Sequence, residues 1–200
     1  MPSSLSSTTS TAPTPDDPLE RWLDWIAAQH PQSVALGLER VRIVADRLSI
    51  PIKPAPLTLV VAGTNGKGSC LSFLRAILGA SGLQVASYLS PHLLDFRERL
   101  QLGSDYADDR QWTCALAQVE AARHGVPLTY FEASTLAALL LIATSDVDAA
   151  VLEVGLGGRL DAVNIVDADA QLITTVDLDH QAWLGSDRET IGFEKAGVLR

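Results

Sequence analysis

Residues 63–69 read GTNGKGS. Successive backbone N–H groups in such a glycine-rich turn point inward and form an anion nest, and a following helix adds its positive N-terminal end. Lys67 is long enough to reach the terminal phosphates of a nucleotide, and a neighbouring hydroxyl can join a metal shell. Thr64, Asn65, Gly66, Lys67, Gly68 and Ser69 are therefore the candidate cradle for ATP or GTP. The match to the general pattern G-x-x-x-x-G-K-[ST] is incomplete. Its first glycine falls on Val61, and the hydroxyl comes one position late, at Ser69. The plain alternative is a strand-to-helix turn carrying a surface lysine. The apolar run before the turn and the helical pattern after it favour the nucleotide.

Three more groups close apolar runs. Ser90 follows QVASYL, Glu153 ends AAVLE, and His180 follows LITTVDLD. Ligands of open α/β sheets bind at the carboxyl ends of the strands. Each residue alone has an ordinary explanation: Ser90 as a turn cap before Pro91, Glu153 as a partner of Arg159, His180 as a loop histidine. Together, at three strand ends beside a phosphate turn, they predict a divalent-cation site. Magnesium favours oxygen ligands, so the imidazole makes manganese worth testing. The segment EVGLGGRLD is not a dinucleotide fingerprint, because the third glycine of G-x-G-x-x-G would fall on Leu160.

These residues need strands and helices to hold them. Leu19, Trp22, Leu23 and Ile26 have helical spacing, ended by Pro31. Leu38, Val41, Val44, Ala45 and Leu48 repeat the pattern. Prolines 51, 54 and 56 make a stiff connector to a buried strand over residues 57–62, followed by the glycine turn and a helix to about Ala80. Strands are predicted over residues 84–90, in RERLQLGS, in DAAVLEV, and in AQLITTVD with its end near Asp179. Asp108 or Asp109 caps a helix that Gly125 stops, and FEASTLAALLLIAT reads as a buried helix. The strands are apolar throughout and alternate with helices. This predicts an α/β fold with a mostly parallel sheet covered by helices on both faces, of the P-loop NTPase-like kind.

The chain has 200 residues, is 47% hydrophobic and 20% charged, and carries a net charge of -9. That composition allows one sizeable core. No basic stripe speaks for nucleic acid or an anionic membrane, so neither is an expected partner. The two cysteines have no metal-ligand spacing, and a reduced, cytoplasmic chain is expected. Residues 1–17, rich in Ser, Thr and Pro, are expected to be a disordered tail, with the folded part spanning 18–200. The chain stops in mid-pattern at FEKAGVLR and is expected to continue in the native product.

The motifs GTNGKGS, SPHL, TYFE, LEVGLGGRLDAVN, DHQAWLG and EKAGV occur in the order and at the spacing of the folylpolyglutamate synthases. The chain resembles that family from about Leu19 to Arg200, in its bacterial bifunctional form that also makes dihydrofolate. The family groups with the Mur ligases, so the resemblance implies the N-terminal, incomplete part of a Mur-ligase-type ATPase domain. It also implies a reaction: ATP phosphorylates a substrate carboxylate, and the amino group of L-glutamate displaces the phosphate. Dihydropteroate and tetrahydrofolate are the implied acceptors, ATP and Mg²⁺ the implied cofactors, and a monomer the expected state.

By the same resemblance, Ser90, Glu153 and His180 are the metal ligands. Lys195 of EKAG is the lysine the family carbamylates, and Lys67, Lys195 and His180 are the catalytic set. A surface lysine on a helix is the plain alternative for Lys195. The pterin is bordered by Val34, Ala35, Leu36 and Gly37, by Thr129, Tyr130, Phe131 and Glu132, and by Leu160, Asp161 and Ala162. Phe131 could stack on the pterin or be a core aromatic, and Asp161 could accept the ring N–H groups. Val163 stands where the family often has threonine and offers no hydroxyl. A Mur-type ligase and a non-catalytic nucleotide-binding module are the alternative functions.

Overall fold

The computed structural model describes residues 11–199. Four neighbouring strands run parallel, β2 (Val85–Tyr88), β5 (Ala149–Glu153), β1 (Leu57–Ala62) and β6 (Ala170–Ile173). Two short antiparallel strands, β3 (Leu100–Leu102) and β4 (Asp105–Tyr106), extend the β2 edge and complete the order β4-β3-β2-β5-β1-β6. β2 and β5 are buried at every position, as expected of strands covered on both faces. β6 alternates between exposed and half-buried residues and lies at the sheet edge.

One sheet face carries α1 (Leu19–Ala27), α2 (Glu39–Arg47), α4 (Asp109–Arg123) and α5 (Tyr130–Ala143). α5 is apolar nearly all round and buried from Glu132 through Leu140, as a helix enclosed by other elements must be. Its start is fixed by a reciprocal cap: Glu132 N–H donates to Thr129 Oγ1 at 3.2 Å, and Thr129 N–H donates to Glu132 Oε2 at 2.8 Å. Asp108 caps α4 in the same manner. The other face carries α3 (Lys67–Ala80), whose Leu71 packs with Val61, Val85, Ala149 and Val151.

Several expectations need correction. α1 ends at Ala27, ahead of Pro31. Residues 97–99 of the expected third strand belong instead to a 3₁₀ turn, Phe96–Arg99, capped by Asp95. β6 ends at Ile173 instead of near Asp179, because the next residues pair with the glycine turn. The expected tail reached too far: Thr14 and Asp17 close a hydrogen-bonded turn, Trp22 Nε1 donates to the Thr14 carbonyl at 2.9 Å, and Thr113 Oγ1 donates to that of Pro15 at 2.8 Å. Residues 1–10 lie outside the described residues. Two short helices, α6 (Gln181–Leu184) and α7 (Arg188–Ala196), follow β6; α7 carries Lys195.

Candidate active site

The glycine turn joins β1 to α3 across the carboxyl edge of the sheet. Gly66 is left-handed at φ 79° and starts α3, whose N-terminus has no side-chain cap. The first-turn N–H groups of the helix are therefore free for an anion. Gly63, at φ 147°, has no room for a side chain, since a Cβ would stand 1.8 Å from Thr174 Oγ1. Lys67 Nζ folds back to the carbonyls of Gly63 (3.0 Å) and Thr64 (3.3 Å) and is held over the turn. The N–H groups of Thr64 and Asn65 donate to the Thr175 carbonyl and Thr175 Oγ1 and anchor the turn to residues 174–177.

Glu153 ends β5 opposite Val61, in register with the start of the turn. Burial pushes its carboxyl up, against the pull of the Lys67 charge and the Ser90 N–H, which donates to it. Ser90 and Glu153 thus meet. Arg159, the alternative partner considered for Glu153, pairs with Glu194 at 2.8 Å. His180 lies seven residues beyond β6, left-handed at the start of α6, exposed and 3.6 Å from Asp179. Among the described residues no three His, Cys, Asp or Glu side chains form a metal cluster. The Ser90 and Glu153 oxygens nevertheless suit a hard cation, because a buried carboxylate with one backbone donor retains acceptor capacity.

Lys195, on α7, is buried, contrary to the surface alternative. Burial pushes its amine below the usual lysine range. The Lys67 charge adds to this and Asp179 opposes it. Lys67 also acts on Glu153 and Asp161, so one lysine sits at the electrostatic centre of the group.

Beside this edge opens a cavity of about 230 Å³. Every expected pterin-border residue lines it except Gly37, together with Ser90, Pro91, Arg99, Gly155 and Leu156. Gly37 instead donates its N–H to the Leu160 carbonyl at 3.2 Å and joins two of the bordering segments. Asp161 is buried there, and its carboxyl oxygens accept the N–H groups of Leu156 (2.8 Å) and Val163 (2.9 Å). Burial, against those bonds, raises its pKa to about 7. The Phe131 ring lies tilted against Tyr88, 6.5 Å between centroids. Val163 is fully buried, so its lack of a hydroxyl is a matter of packing.

Sequence reasoning missed Arg40. Its Nη2 donates to the Ala35 carbonyl (3.0 Å) and to Glu132 Oε1 (2.8 Å), tying residues 34–37 to the cap of α5. Its contact with Glu132 spans 92 residues, which no local pattern reveals.

No family model matches the sequence. Comparison with curated proteins finds the dihydrofolate synthase/folylpolyglutamate synthase of Escherichia coli, 49% identical over 183 residues, which are 92% of this chain and 43% of that protein. The chain is homologous to the N-terminal portion of the bacterial dihydrofolate synthase/folylpolyglutamate synthases. It spans less than half the length of the relative. Among solved structures, E. coli FolC in complex with DHPP and ADP superposes with a TM-score of 0.92 at 48% identity, over 94% of this chain and 45% of that one. A bifunctional folylpolyglutamate synthase/dihydrofolate synthase with Mn, AMPPNP and L-glutamate bound gives 0.88 at 50% identity, over 95% and 46%. These solved synthases share the α/β fold described above.

Proposed function

We propose that the protein is an ATP-dependent ligase that joins L-glutamate to dihydropteroate and then to reduced folates. The observation that carries this reading is a continuity. The cavity walled by Phe131 and Asp161 reaches Ser90, whose N–H meets Glu153 beside Lys67 and the open end of α3. A flat heterocycle with a carboxylate at its far end fits a cavity that runs toward a phosphate turn. The relatives that bind ADP with DHPP, and AMPPNP with Mn and L-glutamate, support it.

In this reading the α3 N-terminus and Lys67 hold the phosphates of ATP. Ser90 and Glu153 would hold a divalent cation, Mg²⁺ in this proposal, with His180 brought in from its exposed position. The metal would supply positive charge against the phosphate oxygens. A substrate carboxylate oxygen attacks the γ-phosphorus and ADP leaves. The glutamate amino nitrogen then attacks the acyl carbon, loses a proton, and phosphate departs. The chain contributes positioning and charge neutralisation, the principal needs of phosphoryl transfer. The lowered Lys195 pKa favours the neutral amine, which can add CO₂ and release a proton to become a carbamate.

We place the protein in the cytoplasm as a monomer, in keeping with its two free cysteines. ADP release by the full-length protein with Mg-ATP and L-glutamate tests the reading. Release with dihydropteroate and with tetrahydrofolate is expected. Release with a UDP-muramoyl acceptor alone would move the protein to the Mur ligases.

A further inference from the structure

Arg99 lines the cavity and is 7% exposed. Its Nε donates to His92 Nδ1 at 2.9 Å, and its guanidinium carbon lies 5.4 Å from the centroids of both the Phe96 and Tyr130 rings. These contacts fix the orientation of the guanidinium but bring no negative charge. Arg99 takes part in no ion pair among the described residues. The Tyr88 hydroxyl, 3.1 Å from Thr135 Oγ1, also meets the Arg99 side chain, but burial pushes its pKa up and it brings no negative charge. Arg99 Nη1 has no hydrogen-bond partner among the described residues.

A permanently charged guanidinium removed from water is costly unless an anion meets it. The structure has built the opposite: a cation pre-oriented by aromatic faces and one histidine, and left uncompensated on the wall of a substrate cavity. Ser90 and Pro91, from the carboxyl edge, line that same cavity. We propose that Arg99 is the counter-ion of the substrate carboxylate, binding it in the cavity through charge-assisted hydrogen bonds and turning it toward the phosphate turn. The inference rests on the folate-ligase reading and adds to it the group that recognises the acid end of the substrate. Planar, multi-donor arginine is suited to a carboxylate in a way that a point-charge lysine is not.

The test compares two ligands on the full-length protein without nucleotide or metal: dihydropteroate, and the same pterin with aniline in place of its 4-aminobenzoate. Fluorescence titration gives both Kd values. The native protein is expected to prefer the carboxylate by about 10- to 100-fold. Arg99→Met is expected to bring that ratio to about 3 or less while leaving the Kd for the aniline analogue within about threefold. Should the methionine variant fail to fold, Arg99→Lys decides: a smaller carboxylate preference with an unchanged analogue Kd supports the assignment. Equal loss of both ligands would make Arg99 a packing residue and overturn the proposal, as would a variant that keeps the native preference or a native protein without one. A native protein that binds neither pterin removes the folate reading itself, and the inference with it.

Discussion

Gly155 leaves the space into which the Phe131 ring fits: a Cβ at position 155 would stand 2.6 Å from Phe131 Cζ and 2.9 Å from Cε2. The backbone after β5 and the first turn of α5 are therefore shaped to each other at the cavity wall. Gly155→Ala is expected to push the ring out of place and cost about 1–3 kcal/mol of stability. It should weaken dihydropteroate binding more than ATP binding, which parallel titrations of the two ligands would read.

Lys67 bridges the turn and the charged groups around it, yet its two hydrogen bonds are to carbonyls on a half-buried surface. Lys67→Ala is expected to lower turnover by about 100- to 1,000-fold or more, the scale of losing one pre-oriented charge donor. The circular-dichroism spectrum should remain that of the native protein. A collapsed spectrum would assign the lysine a structural role instead.

Arg40 acts at a distance from any reacting atom, by holding the Ala35 carbonyl and Glu132 together. Arg40→Met leaves a nearly buried carboxylate without its cation and should cost about 2 kcal/mol. Its mark of positioning is a raised KM for the pterin with kcat little changed. An equal fall in kcat would tie Arg40 to the chemistry instead.

Asp161 gives a pH dependence of defined sign. Burial raises its pKa from 3.8 to about 7 in the folded protein. The folded state then binds the proton more tightly than the unfolded chain. The stability this contributes is fully present below about pH 4 and is lost as pH rises through about 7. Pterin binding should run the other way, because the ionised carboxyl accepts ring N–H groups more strongly than the protonated one. The dihydropteroate Kd is expected to rise as pH falls below 7, and Asp161→Asn should flatten the profile. A native Kd constant from pH 5 to 8 would count against this role.

Much of this arrangement is legible in the sequence because it is local. Apolar runs mark β1, β2 and β5, and their last residues place Ser90 and Glu153 at one edge. GTNGKGS announces its turn through glycine. Long-range pairing is not local. Nothing local shows that the N–H groups of Thr64 and Asn65 pair with Thr175. Extended backbone past Ile173 looks like strand and places His180 at a strand end, but its hydrogen bonds go to the glycine turn. No local pattern marks Arg40 or Arg99. Only the folded chain shows one stitched to Glu132 and the other buried between aromatic rings.

The central claim is that a substrate carboxylate takes a phosphate before glutamate takes its place. Dihydropteroate labelled with ¹⁸O in its carboxylate, incubated with the full-length protein, Mg-ATP and L-glutamate, tests that claim directly by mass spectrometry of the released phosphate. The account predicts one ¹⁸O atom in each phosphate and one retained in the amide. Unlabelled phosphate formed along with product would contradict it.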